Sequence, residues 1–495
     1  MASSPMDASK IPVVVRAAVG RGLVRAPVAL EDKPVALFYD LAAYERSLTA
    51  LRDAFGPNFL HAVAVKSNPM CTLLRLARGA GHGTECASIA EVVHSLNMGF
   101  EPGMVVYDSP CKTFPELRFA LQEGIHVNID SEQELARADA IVEEMAAAGA
   151  LPLKGVVGIR VNPLVGAGDV AELSVSNLDS KFGIPFADKD DIERVTGMFV
   201  QRPWITALHV HVGSQGMGLD SMVAGLRRVM DLAAIVDAAC AAAAGAAGAA
   251  GEGVLAGAGG GSSRKRITHV DMGGGLPNNF EGDDFRWTFG DYAARLRDEV
   301  PELFAPELTV VTEFGAALNA KFGWIAAQVE YTKEIADGKL LALVHAGADL
   351  LMRECYSPGK CGPVHRVSLY DAKGLPKKAE AGEGAAGQVV HNIGGPLCFA
   401  GDVPVKGITL PRIVPGDIIT LQDCGSNTLS VYSRHCSRQA PAAYGYRFAP
   451  KEAKGGEDGG DSEDETVVFF ELKAQEEMSA TLAFWGENKD AVEMQ

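Results

Sequence analysis

The chain has 495 residues, 47% of them hydrophobic, with a mean hydropathy of +0.07. That is enough for two to four domains at ~100–200 residues each, and it excludes global disorder. The formal net charge of −18, from 63 acids against 45 Lys and Arg, argues against a nucleic-acid or anionic-membrane partner. No apolar run reaches the ~18 residues of a membrane-spanning helix, so the reading is of a protein without one. The nine cysteines are scattered without CxxC spacing, which fits reduced thiols better than a disulfide or zinc framework.

The N-terminal stretch has no secretory apolar core. Residues 10–25 carry Lys10, Arg16, Arg21 and Arg25 with no acid, behind Ser3 and Ser4. A plastid transit peptide is one reading of this; a cytoplasmic protein is the other, which Asp7 favours.

From residue 61 to 315 one theme repeats: a short apolar run ending in a polar residue or Gly, mostly followed by helical spacing. The runs are 61–66, 82–86, 104–109, 125–130, 156–162, 205–213, 267–274 and 308–315. The run at 82–86 (HGTEC) is weak by propensity and rests on the repeat. Eight such units over ~250 residues predict a (β/α)8 TIM barrel, α/β in class. A doubly wound open sheet is disfavoured because no G-x-G-x-x-G follows the first strand.

Beyond 316 the apolar runs 324–331, 340–345, 388–393, 417–421 and 466–472 lack long helices between them. They predict an all-β, Greek-key or barrel-like second domain. The expected division is 1–35 as an N-terminal segment against the β domain, 36–320 as the barrel, and 321–495 as the β domain. Three stretches read as insertions: the Ala/Gly tract 238–263, the polar loop 372–387 and the acidic loop 451–466. In the tract, the first half can extend a helix. The acidic loop holds seven acids against two lysines.

Barrel sites lie at the C-terminal ends of the strands. There the sequence places Lys66, Glu85, Asp108, Asp130, Arg160, His211, Asp271 and Glu313. Lys66 reads either as a snorkelling side chain or as a Schiff-base lysine. Gly273, Gly274 and Gly275 read as a tight turn or a phosphate cradle after strand seven. His209 and His211 share a strand face; no third ligand cluster is evident, so no metal is expected. The histidine nearer the mouth can stack on an aromatic ligand, and Ser214 can donate to a phosphate. Glu313, if buried, needs a cationic partner, either a basic side chain or a pyridinium nitrogen. Cys398 sits in a Gly-Pro loop (GGPLCFAGD) and is the expected exception among otherwise core cysteines.

AVKSNP, GTECAS-x-x-E, HVHVGSQ, VDMGGG, Glu313-x-Gly315 and GGPLC-x-x-x-D occur in one order. In this the chain resembles the fold-type III pyridoxal phosphate-dependent decarboxylases, the ornithine, arginine and diaminopimelate decarboxylases, over about residues 35–447. RVNP, SKFGI and HVHVGSQ look most like the diaminopimelate branch; YDSPCK and TECAS look closer to the ornithine branch. The resemblance implies a barrel that binds pyridoxal 5'-phosphate, with Lys66 carrying it and His211 stacked on its ring. It implies Glu313 at the ring nitrogen, with Ser214, Gly273, Gly274 and Gly275 at the phosphate and Asn427 also on the cofactor side. Cys398 would return a proton after CO2 loss, in a homodimer with shared sites. Arg353, in AGADLLMREC, matches an arginine that binds a substrate carboxylate; Phe399 and Asp402 fall among the substrate contacts.

Three positions depart from the family pattern. E-P-G-R reads Glu313-Phe314-Gly315-Ala316, the acid after the cysteine is Phe399, and the tyrosine of G-A-Y is Asn427. The expected activity is decarboxylation of meso-diaminopimelate to lysine. The alternatives are decarboxylation of ornithine, arginine or a carboxylated derivative, a racemase, or a non-catalytic homologue acting by binding.

Overall fold

The computed structural model describes residues 6–24, 27–30, 32, 34–166, 176, 177, 179–214, 218–250, 265–335, 338–357, 365–378, 387–449 and 466–487, with backbone only for 247–250. Ser3, Ser4, residues 251–263 of the Ala/Gly tract, residues 379–386 of the polar loop and almost all of the acidic loop lie outside the described residues.

Helix α1 (Ile11–Gly20), strand β1 (Val35–Asp40) and helix α2 (Leu41–Ala54) come first. Strands and helices then alternate: β2 (Phe59–Ala64), α3 (Cys71–Gly79), β3 (Gly83–Cys86), α4 (Ile89–Asn97), β4 (Val105–Asp108) and α5 (Phe114–Glu123). Next come β5 (His126–Ile129), α6 (Glu132–Ala147), β6 (Val157–Asn162), the two-residue β7 (Ile184–Pro185), α7 (Lys189–Gln201) and β8 (Ala207–His209). Helix α8 (Leu219–Ala250), β9 (His269–Asp271), α9 (Phe289–Glu299) and β10 (Thr309–Thr312) complete the series.

All eight predicted barrel strands are present. Parallel pairing runs β2–β3–β4–β5–β6–β8–β9–β10 and back to β2, so the sheet closes. The weak candidate at 82–86 forms β3 because its neighbours hold it. A Cβ on Gly83 would come 2.3 Å from the Met104 carbonyl oxygen, so only glycine lets this strand lie so close to the turn before β4. Helix starts are written locally. Thr113 and Glu116 form a capping box at α5, as Thr288 and Asp291 do at α9.

Helix α8 continues through residues 238–250, the first half of the Ala/Gly tract. Contrary to the sequence reading, Leu219–Ala246 is long and apolar enough to cross a membrane by length and composition. Alanine supplies that hydropathy. The buried Met222, Leu226, Val229, Leu232, Ala233 and Val236 recur at helical spacing, the single stripe of a barrel helix. Residues 241–246 are exposed.

The remaining elements are α10 (Ala316–Asn319), β11 (Gly323–Glu334), β12 (Leu340–Val344), α11 (Met352–Tyr356), β13 (Val367–Tyr370), β14 (Gln388–Gly394), β15 (Val405–Pro411), β16 (Ile418–Leu421), β17 (Ala442–Phe448), β18 (Val467–Lys473) and α12 (Met478–Phe484). The chain forms two compact units. One is built from Ser47–Asn278 and Arg286–Leu318, the other from Ser4–Arg46, Asn279–Phe285 and Asn319–Gln495. The second is a nine-stranded sheet in the order β15–β14–β12–β11–β1–β17–β18, with β16 pairing both β11 and β13.

Residues 36–46, placed in the barrel by the sequence reading, belong to this second unit. Strand β1 pairs antiparallel with β11 and parallel with β17. Phe38 stacks on Trp324 with ring centroids 4.5 Å apart. The basic N-terminal stretch is in part a packed helix in this unit, with Ile11, Val14, Val15 and Ala18 of α1 buried. The eight described cysteines are free thiols, and Cys111 and Cys436 are exposed as well as Cys398.

Candidate active site

The barrel mouth gathers the polar strand ends. Strand β2 stops at Ala64, and Lys66 lies in the single 3-10 turn Val65–Ser67 that follows. Ser67 Oγ donates to the Ala64 carbonyl at 2.7 Å and closes that turn. Gly315 lets it seat, since a Cβ there would lie 2.9 Å from Ser67 Cβ. The Lys66 side chain is 53% exposed, and its Nζ donates to both oxygens of buried Glu85, at 2.6 and 2.5 Å. Desolvation pulls the ammonium down, but Glu85, Glu313 and Asp108 together pull harder, and its pKa lies above the ordinary lysine range.

Beneath the mouth the acids and bases interlock. Arg160 Nη1 donates to Asp108 Oδ2 at 2.8 Å, its Nε is 3.8 Å from Asp130 Oδ1, and its guanidinium lies 4.4 Å from the Phe182 ring centre. Desolvation opposes the charge on Asp108, but Arg160, His209 and Lys112 overcome it and hold the carboxyl well below its usual range. Asp271 accepts from Asn128 Nδ2 at 2.9 Å and from the Gly273 amide at 3.0 Å, tying β5 to the glycine loop. Lys112 is fully buried, paired to Glu134 at 2.8 Å.

The three glycines after β9 have no room for side chains. A Cβ on Gly274 would meet the Glu313 carbonyl oxygen at 2.1 Å, and one on Gly275 the Gly213 carbonyl oxygen at 1.8 Å. Gly273 and Gly275 have φ of +66° and +97°. The Gly274 amide donates to His211 Nδ1 at 3.1 Å, which leaves the ring proton on Nε2. Burial, with Arg160 and Lys66 nearby, lowers the pKa of His211 far below its usual value, so the ring is neutral. Ser214 is half-buried directly after Gly213.

Glu313 follows β10 and is buried, and its Oε1 has no hydrogen-bond partner among the described residues. Burial first, then Asp271, Glu85 and Asp108, raise its pKa well above the carboxylate range. Such a carboxyl lacks a cation. Lys66 as an amine, a neutral imidazole at His211, a side-chain-free glycine cradle and an unpartnered buried carboxyl together fit an aromatic aldehyde with a basic ring nitrogen and a phosphate. Pyridoxal phosphate is such a group.

In the other unit Cys398 is exposed on the loop between β14 and β15. Phe399 stacks on Tyr356, centroids 4.5 Å apart at 12°, and packs on Ala348, Cys355 and Leu397. Arg353 is half-buried on α11. Asn427 has φ +52°, and its amide donates to Ser426 Oγ at 2.8 Å. Asp402, expected among the substrate contacts, is instead a loop brace. It is 4% exposed, and its two oxygens accept from the Ala348 and Leu397 amides, each at 2.6 Å.

The reading from sequence passed over two features. Asp108 was seen as one more strand end, with no sign of its pairing to Arg160. His209 and His211, grouped by spacing, make different contacts, since His209 lies between Asp108 and Glu313. The HxH spacing was the available signal, and only three-dimensional closure of the barrel separates the two rings.

Residues 41–243 match the profile of the pyridoxal-dependent decarboxylase, pyridoxal binding domain. The chain is 26% identical over 416 residues to a diaminopimelate decarboxylase of Bacteroides thetaiotaomicron, covering 82% of this chain and 94% of that protein. It is 28% identical over 404 residues to that of Pseudomonas aeruginosa, covering 81% and 84%. Its fold is similar to the crystal structure of diaminopimelate decarboxylase from Helicobacter pylori complexed with L-lysine. There the TM-score is 0.71 at 21% identity, over 92% of this chain and 98% of that one. The mouth's geometry and these likenesses agree: residues 41–243 match a pyridoxal-dependent decarboxylase's pyridoxal binding domain, and the chain is similar to diaminopimelate decarboxylases over most of its length.

Proposed function

We propose that this chain is a pyridoxal phosphate-dependent carboxy-lyase that converts meso-diaminopimelate to lysine and CO2. The observation that carries the reading is the meeting of Lys66, Glu313, His211 and Gly273 to Gly275 at one barrel mouth. Bound there, the cofactor supplies a sink for the electron pair left on Cα as CO2 departs.

The chain's residues do the rest. Lys66 holds the cofactor through its amine. Glu85, which accepts from Lys66 Nζ at 2.6 and 2.5 Å, would hold that nitrogen whenever it is not engaged with the cofactor. Glu313 would hold the proton of a basic ring nitrogen, His211 would pack against the ring, and Ser214 with the glycine amides would hold the phosphate. Arg353 takes the distal carboxylate of the substrate. Lys66, or Cys398 from a second copy of this chain, returns the proton to Cα. The pairing of two copies is part of this proposal.

A second reading rests on Phe399. Its ring is stacked on Tyr356, and Asp402 is occupied by backbone amides, so this loop offers no free carboxylate to a distal ammonium. A substrate with a distal carboxylate and no ammonium, such as a dicarboxylic amino acid, fits that loop better. CO2 release from meso-diaminopimelate, ornithine, arginine, lysine and glutamate separates the readings. Fastest release from diaminopimelate supports the first, preference for glutamate the second, and release from none of the panel overturns both.

A further inference from the structure

Behind Glu313 lies a polar chain, His209, Asp108 and Arg160, to which the roles above give no task. His209 ends β8, is fully buried, and has no hydrogen-bond partner at either ring nitrogen among the described residues. Its Nδ1 is 3.4 Å from Asp108 Oδ1, and its Nε2 is 3.7 Å from Glu313 Oε2. Asp108 is anchored on its other oxygen by Arg160 at 2.8 Å. Asp108 Oδ1 and Glu313 Oε1 are themselves without hydrogen-bond partners among the described residues.

We propose that His209 is a positioning residue: doubly protonated between Asp108 and Glu313, it orients Glu313 and keeps it a carboxylate, so that Oε1 accepts the N–H of the bound cofactor's ring. The inference rests on the cofactor reading above and deepens it.

A buried imidazole with neither nitrogen bonded costs free energy on the order of a hydrogen bond per nitrogen. A neutral ring can donate to only one of its two flanking acids. The doubly protonated ring donates to both, Nδ1–H to Asp108 and Nε2–H to Glu313. The proton that moves to Nε2 comes from Glu313 Oε2, which would otherwise keep it in this buried, acid-rich site. Arg160 and His209 then carry two positive charges against Asp108 and Glu313. The other charged groups nearby are already engaged. Asp271, opposite His209 in register, holds Asn128 and Gly273, Asp130 accepts the Gly183 amide at 3.2 Å and lies 3.8 Å from Arg160, and Lys66 holds Glu85. His126 on β5, with burial pulling its pKa down to about 4, and the neutral His211 add no charge.

The test uses the full chain and pyridoxal phosphate labelled with 15N in the ring, with affinities from tryptophan fluorescence across about pH 6–9. A carbocyclic analogue with C–H in place of the ring nitrogen is titrated in parallel. In the unsubstituted protein the ring nitrogen should resonate at its protonated position throughout. His209→Asn should move it toward the unprotonated position and weaken pyridoxal phosphate ~tenfold, with the analogue's affinity within about a factor of two of the unsubstituted protein's. Asp108→Asn should produce the same shift at smaller size, and reports on the bridge if His209→Asn does not fold. A ring nitrogen that stays protonated in the folded variants overturns the inference. So does equal weakening of cofactor and analogue, which would mean that His209 only packs. An unsubstituted protein that binds no pyridoxal phosphate overturns the cofactor reading itself.

Discussion

Gly275 carries the tightest constraint in the site. Its φ is +97°, and a Cβ would fall 1.8 Å from the Gly213 carbonyl oxygen, beside the Ser214 turn. Gly275→Ala should therefore cost more than the ~1–3 kcal/mol of a disfavoured backbone region, and should abolish cofactor binding. Gly149 is the control: its φ is +69°, but nothing lies within 4 Å of its Cβ position. Gly149→Ala should show only the conformational cost, with cofactor affinity unchanged. Denaturant unfolding and fluorescence titration read both; equal losses in the two variants would mean that the cradle is not crowded. Phe399→Glu should lose about 1 kcal/mol of stability with the Tyr356 stack. It should also raise kcat/KM for ornithine and lysine relative to glutamate, and unchanged ratios would show that the position does not face the substrate's far end.

Helix α8 shows how an element absorbs an insertion. Its buried stripe ends at Cys240, and residues 241–246 are exposed. Asp237 Oδ1 accepts the amides of Arg266 and Ile267 at 2.7 and 2.8 Å, so the chain's return to β9 is fixed at that point of the helix. Replacing residues 244–263 by a linker of about six Gly and Ser residues should leave the melting temperature within ~2 °C and the activity intact. A large drop in either would mean that the tract packs or binds. The barrel strands were legible because each is a local apolar run with a local helix behind it. Two of the strands that escaped notice depend on distant partners. Strand β1 pairs with β11 and β17, elements of the far C-terminal half. Strand β17 is broken in sequence by Gly445, where a Cβ would lie 2.7 Å from Leu41 Cδ1. Strand β15 is half-exposed and carries Gly407 and Pro411. Asp402 misled for a related reason: its spacing from Cys398 places it in the loop, but not whether it faces a ligand or the loop's own amides.

At the scale of the molecule, the barrel buries two histidines, His61 and His126, that stay neutral. Burial lowers His61 to about 3 and His126 to about 4. Unfolded, both return to ~6.5, so below that pH the unfolded chain binds protons that the native one does not. Stability is thus complete above ~6.5 and is lost as pH falls, by about 2 kcal/mol per histidine between pH 7 and 5. Urea unfolding at the two pH values should show this loss, and His61→Asn should recover roughly 2 kcal/mol of it; an unchanged pH dependence would mean that His61 is protonated in the native barrel. The account as a whole turns on one covalent assignment, that the barrel binds its cofactor through the lysine after β2. Full-length protein loaded with pyridoxal phosphate, reduced with borohydride and digested, should yield the pyridoxyl group on the peptide containing Lys66. Recovery of the label on any other lysine, or none bound at all, would contradict it.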